Sequence, residues 1–350
     1  MKYCSPGRST SSRELWLQQL SDVVTDTSQL LQMLNLDHEN LLILSDQSDK
    51  FFPLRVPRTF IDRMRHGDPY DPLLLQVLIK PQEFIKVPSY SSDPLQEIDY
   101  IVCPGLIHKY HNRALLLVKG SCAVHCRYCF RRCFPYQEHS LNQKNLHSIL
   151  EYLHRHSEIE EIIFSGGDPL MAKDSELKKI ISKLENIRHL KRLRIHTRLP
   201  VVIPARITQT LCHILDNAKF QIILVTHINH QQEIDHTLLS GMESLKKSGV
   251  TLLNQSVLLR GVNDSSEKLA ALSNALFDIG ILPYYLHMLD QVEGAAHFFV
   301  SEEKAQAIMR NLFSRLSGYL VPTLIREVNG KKSKIPVDLN FRLNNFIYHE

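Results

Sequence analysis

The stretch Ala114-Leu-Leu-Leu-Val118, followed almost at once by Gly120-Ser-Cys-Ala-Val-His-Cys-Arg-Tyr-Cys-Phe-Arg-Arg132, decides how the rest of the chain is read. A short apolar run with a turn behind it reads as a buried strand. Cys122, Cys126 and Cys129 then lie on the loop leaving that strand's C-terminal end, where α/β folds keep their active sites. Thiols spaced C-x3-C-x2-C can converge on one metal centre from a single loop. Cubane iron–sulfur clusters take one Cys thiolate per iron, so three thiolates leave one iron open to a small molecule. A structural zinc site needs a fourth nitrogen or sulfur ligand. His125, Cys133 or a distant His could supply it, so spacing alone leaves both metals open. Disulfides fit poorly, because these cysteines are too close in sequence to staple distant elements.

At 350 residues the chain can hold one large α/β domain with a smaller appendage. Hydrophobic content of 43% and charged content of 22% are those of a soluble globular enzyme. A net charge of +4, spread rather than clustered, gives no reason to expect nucleic acid as a partner. No apolar run reaches membrane-span length, and Met1-Lys-Tyr-Cys-Ser-Pro-Gly-Arg8 lacks the apolar core of a signal peptide. Seven cysteines, an odd number, suit a reducing compartment. The expectation is a cytoplasmic protein.

Residues 1–100 are expected to form an N-terminal helical cap. Apolar residues recur at helical spacing over 13–36, and then Pro53, Pro57, Pro69, Pro72, Pro81, Pro88 and Pro94 leave room only for short helices. Segments 51–57 and 71–75 read as apolar docking segments pinned by prolines. From Ala114 onward, strand-like runs at 114–118, 161–165, 193–197, 221–226, 252–259 and 282–289 alternate with helical patterns at 142–155, 175–187, 206–217, 232–248, 267–278 and 301–316. Gly249 is placed as the residue that ends the fourth helix. Six β–α units imply a parallel sheet with helices outside it. The fold class is therefore α/β, a partial (β/α)6 TIM-like barrel over 101–320 with a short C-terminal tail over 321–350; a doubly wound sheet is the alternative. Polar residues collect at the strand ends: Ser165-Gly-Gly-Asp-Pro169, Arg194-Ile-His-Thr-Arg-Leu-Pro200, Thr226-His-Ile-Asn-His230, 254–264 and His287-Met-Leu-Asp-Gln291. One buried His is usually a satisfied core residue. Polar tips on five successive strands are harder to explain that way.

The cysteine spacing together with Gly166-Gly-Asp-Pro169 resembles the radical S-adenosylmethionine enzymes. Within them, Cys126-Arg-Tyr-Cys-Phe-Arg-Arg132, His196-Thr-Arg-Leu-Pro-Val-Val-Ile-Pro204, Thr226-His-Ile-Asn-His230 and Asn254-Gln-Ser-Val-Leu-Leu-Arg-Gly-Val-Asn-Asp264 resemble lysine 2,3-aminomutase, over about 52–339. Phe52-Pro-Leu-Arg-Val-Pro57, Pro104-Gly-Leu-Ile-His-Lys-Tyr110 and Phe130-Arg-Arg-Cys-Phe-Pro-Tyr136 are most similar to the short bacterial branch that supplies β-lysine for modifying elongation factor P.

The resemblance implies a barrel of radical S-adenosylmethionine type. It also implies a 4Fe-4S cluster on Cys122, Cys126 and Cys129, S-adenosylmethionine on the open iron, and pyridoxal phosphate. S-adenosylmethionine would be cleaved to a 5′-deoxyadenosyl radical that takes a hydrogen from the β-carbon of lysine, after which the amino group migrates from C2 to C3. Gly166, Gly167 and Asp168 would lie beside S-adenosylmethionine. Lys331, Lys332 and Lys334 compete to hold pyridoxal phosphate. Read alone, a Lys-rich loop beside Gly330 is a surface turn. The family register, fixed by Val321-Pro-Thr323 and Pro336, selects Lys334. Arg131 matches the residue that pairs with the substrate carboxylate, Asp290 a carboxylate that meets the ε-ammonium, and Glu327 its companion. That companion is Asp in the long enzymes, so the charge is kept and the reach grows by one methylene. Arg113 is a candidate for the cofactor phosphate. The implied partners are free L-lysine, an external electron donor and, indirectly, the elongation factor P pathway with its β-lysine ligase; an oligomer is open. An acidic Asp290 argues against a glutamate-type aminomutase. The remaining alternatives are a radical enzyme without pyridoxal phosphate and a non-enzymatic zinc module. Cys133 has no assigned role.

Overall fold

Glu161–Gly166 is buried along nearly its whole length, and Gln221–Thr226 buries Ile222, Leu224, Val225 and Thr226. Strands covered on both faces lose their polar positions, as in a parallel sheet enclosed by helices. The computed structural model describes residues 14–36, 52–139, 141–142 and 144–341. The signal-peptide reading of residues 1–8, Phe51 of the first docking segment and the end of the tail lie outside the described residues.

Ten strands form one sheet in unbroken sequence order from Ile101–Cys103 to Ile335–Pro336. Seven of them, Arg113–Lys119, Glu161–Gly166, Arg192–Thr197, Gln221–Thr226, Thr251–Val257, Leu282–His287 and Thr323–Arg326, pair in parallel. Antiparallel strands flank them: Ile101–Cys103 and Leu106–Tyr110 on one side, Ile335–Pro336 on the other. Winding in a single direction makes a barrel wall, whereas a doubly wound sheet reverses at a switch point. The six expected strands are all present. The seventh, Thr323–Arg326, falls where only a tail was expected, because four residues with Leu324 and Ile325 buried are too short to announce themselves.

Six helices return the chain from strand to strand: Leu146–Arg155, Asp174–Leu184, Gln209–Asp216, His236–Lys247, Ser266–Asp278 and Glu302–Arg315. Several start later than periodicity alone suggests, because a cap residue decides where a helix begins. Thr208 accepts from the N–H of Leu211 and Asp235 from that of Leu238. Pro204–Arg206 and Gln231–Glu233 are short 3-10 turns before those caps. Gly249 takes φ +71° and sends its N–H to the Lys246 carbonyl, the left-handed ending expected there.

The helical pattern over 13–36 resolves into two helices, Leu15–Ser21 and Thr27–Met33, separated by Val23–Val24, which pairs antiparallel with Val56–Pro57. Trp16, Leu30, Leu31, Leu54 and Phe60 belong to one continuous apolar core with Leu177, Val201 and Leu238 of the barrel. Buried Arg206 lies under the Trp16 ring and donates to the carbonyls of Leu170 and Ala172.

This N-terminal region also clamps the cysteine loop. Arg55 Nε donates to the Cys122 carbonyl at 3.0 Å, and the N–H groups of His125 and Arg127 donate to the carbonyls of Arg55 and Gln76. The Arg127 guanidinium meets both oxygens of Glu83, and Arg132 adds a bond of 2.8 Å. Burial pushes the Glu83 carboxyl up, but the hydrogen bonds and charges of the two arginines outweigh it and hold the group below its usual range. Removing one partner of such a buried cluster costs about 3–5 kcal/mol. Glu83→Gln should lose stability of that order in urea unfolding at pH 7. A depressed carboxyl stabilises fully above its unfolded pKa of about 4.3 and stops doing so as pH falls through the lower folded value. The gap between parent and Glu83→Gln should therefore close in strong acid.

Candidate active site

At the C-terminal ends of the parallel strands lies a cavity of about 790 Å³. Its wall includes Cys122, Cys126, Cys129, Gly166, Gly167, Arg131, Arg113, Asp290, Glu327 and Lys334, so the sequence-derived site residues converge on one space.

The Gly-Gly turn and the cysteine loop are fitted to one another. The N–H of Gly167 donates to the Lys119 carbonyl at 2.8 Å, and that of Asp168 to the Ser121 carbonyl at 3.0 Å. Gly166 has φ +124°, and a Cβ there would stand 2.2 Å from the Lys119 oxygen. A Cβ on Gly167 would stand 2.6 Å from the Ser121 oxygen and 3.0 Å from Cys122 Sγ. Only glycine permits this approach. The Asp168 carboxylate is spent internally, accepting from the N–H groups of Leu170, Arg198 and Leu199 and from the Thr197 hydroxyl. It fixes the turn rather than reaching for a ligand.

The three thiols feel one another. Burial, followed by Asp168, Cys129 and Cys126, pushes the Cys122 thiol well up, and burial with Cys126 raises Cys129 to about 11. Among the described residues no group of three or more His, Cys, Asp or Glu converges on a single-ion site. Thiolates of a cubane bind different irons and need no such convergence. His125 is committed elsewhere, with Nδ1 2.8 Å from the Pro53 carbonyl and its ring stacked on Phe52, while Cys133 is exposed. An all-sulfur donor set suits an iron–sulfur cluster.

At Lys334 the chemistry changes. Its Nζ lies 3.2 Å from Glu327 Oε2, and Glu327 Oε1 accepts from Lys109 at 3.0 Å and from the Tyr110 hydroxyl at 2.8 Å. Burial would raise Glu327, but Lys334, Lys109 and the Tyr110 bond hold it at about 2. The backbone carbonyl of Asp290 is engaged by the N–H of Val292, but the Asp290 carboxylate has no hydrogen bond or ion pair among the described residues. Burial and the Glu327 charge push it up to about 7 against the opposing pull of Lys334. Arg113 stacks on Tyr110 at 4.3 Å and donates to Asn112. Arg131 is held on two nitrogens by Glu97, at 2.6 and 2.7 Å, and its Nη1 donates to Ser165 at 2.9 Å. The fork that the resemblance gives to a substrate carboxylate is thus occupied by Glu97.

Burial keeps His196, His227 and His287 neutral, with His227 lowered to about 3, and Lys334 is among the charges lowering each. Among the described residues, Nε2 of His196 and of His287, and Nε of Arg194, are buried without partners. Buried nitrogens without partners are rare and suit a polar ligand such as pyridoxal phosphate; Arg194 Nε can only donate, whereas a neutral imidazole nitrogen donates or accepts by tautomer. His227 is one of the polar strand tips, as are His196 and His287. His230 is not on the cavity wall, and its Nδ1 accepts from the N–H of Gln232. Lys109, Tyr110 and Arg198 also line the cavity, although no local pattern in 104–110 or 194–200 marks them. Glu97 sits among the prolines with no pattern to mark it.

Gly167→Ala should lower iron and sulfide uptake on anaerobic reconstitution to near background, because backbone on the cysteine loop must move. Gly241→Ala, whose Cβ would meet Ile207 at 3.4 Å, should take up the full complement.

The Radical SAM superfamily model matches residues 117–272. The chain is 59% identical over 333 residues to an L-lysine 2,3-aminomutase of Escherichia coli strain K12, covering 95% of this chain and 97% of that one. It is 52% identical to an enzyme of the same name from Buchnera aphidicola subsp. Baizongia pistaciae (94% and 97% covered) and 53% identical to one from Haemophilus influenzae (91% and 94% covered). Among the described residues no helix is long and apolar enough to cross a membrane. With the cysteine loop, the Gly-Gly turn and the lysine–carboxylate pocket on one cavity wall, this chain belongs to the lysine 2,3-aminomutase family of radical S-adenosylmethionine enzymes.

Proposed function

We propose that the chain is an isomerase that converts L-lysine to β-lysine, using a 4Fe-4S cluster, S-adenosylmethionine and pyridoxal phosphate. The observation that carries this reading is the placing of two acidic groups, Asp290 and Glu327, in one cavity with Lys334 and the cysteine loop. When bound, the cofactors supply radical generation and stabilisation of the migrating amino group. The protein's own contributions follow from its geometry. Cys122, Cys126 and Cys129 would hold the cluster, with the backbone of Gly166 and Gly167 beside S-adenosylmethionine. The Lys334 amine would carry pyridoxal phosphate, and Arg113 would meet its phosphate.

Asp290 and Glu327 would receive the ε-ammonium, and a glutamate substrate would bring a carboxylate against like charges. Arg131 would turn Nη1, the nitrogen not paired with Glu97, from Ser165 and the Gly166 carbonyl to the substrate carboxylate. Neutral His196, His227 and His287 add no cation that would compete for the carboxylates. The described cysteines are all free, which suits a reducing cytoplasm. An external donor would supply the electron. The likeness of 52–57, 104–110 and 130–136 to the short bacterial branch supports β-lysine as the group that a separate ligase attaches to elongation factor P.

Anaerobic reconstitution followed by incubation with L-lysine, S-adenosylmethionine, pyridoxal phosphate and dithionite should give β-lysine by mass spectrometry. Cys126→Ala, Lys334→Ala or omission of pyridoxal phosphate should each abolish it. Formation of 5′-deoxyadenosine without β-lysine would sink lysine as the substrate. Asp290 holds a proton below about 7 and must be ionised to meet an ammonium. In the loaded enzyme Lys334 no longer opposes this shift, so the kcat/KM for lysine should rise about tenfold per pH unit up to a break no lower than about 7 and level off above it. In Asp290→Asn this limb should be absent.

A further inference from the structure

We infer that Arg198 is a positioning residue for the cluster ligand Cys126 and raises the readiness of the cluster to accept an electron. This rests on the reading of Cys122, Cys126 and Cys129 as cluster ligands. Nη1 of Arg198 donates to Cys126 Sγ at 2.8 Å. The guanidinium is only 5% exposed and is framed on several sides. Its Nη2 donates to Gln76 Oε1 at 2.8 Å and to Glu233 Oε2 at 3.0 Å, and Nη1 also reaches the Tyr128 hydroxyl. The main-chain N–H of the same residue is tied to Asp168 at 2.8 Å.

Glu233 is fully buried and is itself fixed by the N–H groups of Asn229 and His230 and by the amide of Gln76. This frame aims one N–H at one sulfur. An arginine needed only to neutralise Glu233 would have no reason to divide its nitrogens between a carboxylate and a thiol. Nor would filling the space require a buried cation.

Hydrogen bonds to cluster sulfurs and the local charge set the reduction potential. A donor and cation on Cys126 draws electron density from the thiolate and favours the reduced, more negative cluster. Glu233, behind the guanidinium, opposes that effect. The two residues should therefore move the potential in opposite directions when altered. Damage to packing has no such sign.

The test uses the full chain, reconstituted anaerobically with iron and sulfide and without S-adenosylmethionine or pyridoxal phosphate. Iron and sulfide content is measured first. The cluster is then titrated with titanium(III) citrate while the electron paramagnetic resonance of its one-electron-reduced form is followed. Arg198→Met should hold a cluster with a midpoint more negative than the parent, and Arg198→Lys, which keeps the charge without the fork, should fall between them. Glu233→Gln should move the midpoint the other way. If Arg198→Met does not fold, the Lys and Gln variants still have to shift with opposite signs. A complete cluster whose midpoint is unmoved, or moves the same way in the two, overturns the inference and leaves the cluster reading standing. No four-iron cluster in the parent overturns both.

Discussion

Crowding three half-buried thiols onto one short loop is the constraint on which this architecture turns. Burial and mutual proximity raise the Cys122 and Cys129 thiols, so left alone these groups keep their protons. A bound cation reverses that preference, because coordinated thiols are deprotonated outright. The loop cannot collapse to relieve the crowding, since it is braced from both sides. Outside it are Arg55, the Glu83–Arg127 pair and the Gln76 carbonyl; inside it is the Gly-Gly turn, tied at Lys119 and Ser121. The N-terminal region thus does more than cover the barrel. It supplies the outer wall of the cysteine loop.

Winding the sheet in one direction then does the rest of the arranging. Each parallel strand ends at the same rim, so short side chains from distant parts of the sequence reach one cavity without long loops. The arginines around the cysteine loop have fixed partners: Arg198 on Glu233, Arg131 on Glu97, Arg127 and Arg132 on Glu83, and Arg55 on the Cys122 and Leu20 carbonyls. Between the cysteine loop and Lys334, the wall carries imidazoles kept neutral by burial. Opposite charges are therefore paired locally rather than across the cavity, leaving its interior to ligands.

Much of this was legible in the chain because it is written in short, local patterns. The apolar run 114–118 and the cysteine spacing place the loop, and six alternations of strand and helix give the winding. The seventh strand escaped notice since four residues carry too little periodicity, and it is held by pairing with Leu282–His287 rather than by its own pattern. Helix starts moved for the same reason: the hydrogen bonds of Thr208 and Asp235 are local chemistry that overrules an apolar rhythm. What sequence could not give was the partner of each charge. Arg131 looks like a free guanidinium until Glu97, from the proline-rich stretch, meets it; Asp168 looks like a ligand until four internal bonds use it.

The same logic explains why a longer carboxylate suits position 327. Glu327 spans two tasks at once, taking Lys109 and Tyr110 on one oxygen and Lys334 on the other. While Lys334 is a free amine, two cations face two acidic groups, and Asp290 rests near its own midpoint, at about 7. Once Lys334 carries pyridoxal phosphate, as proposed, it ceases to be an ammonium, and Lys109 alone faces Asp290 and Glu327. That leaves room for one further positive charge, which the ε-ammonium of lysine would bring. Lys109 is what keeps the deficit at one: without it, two carboxylates side by side would hold a proton on Asp290 in preference to a substrate. On the proposed reading, pocket selectivity would be a matter of charge balance, and the hairpin that carries Lys109 and Tyr110 would be as much a part of it as the carboxylates themselves.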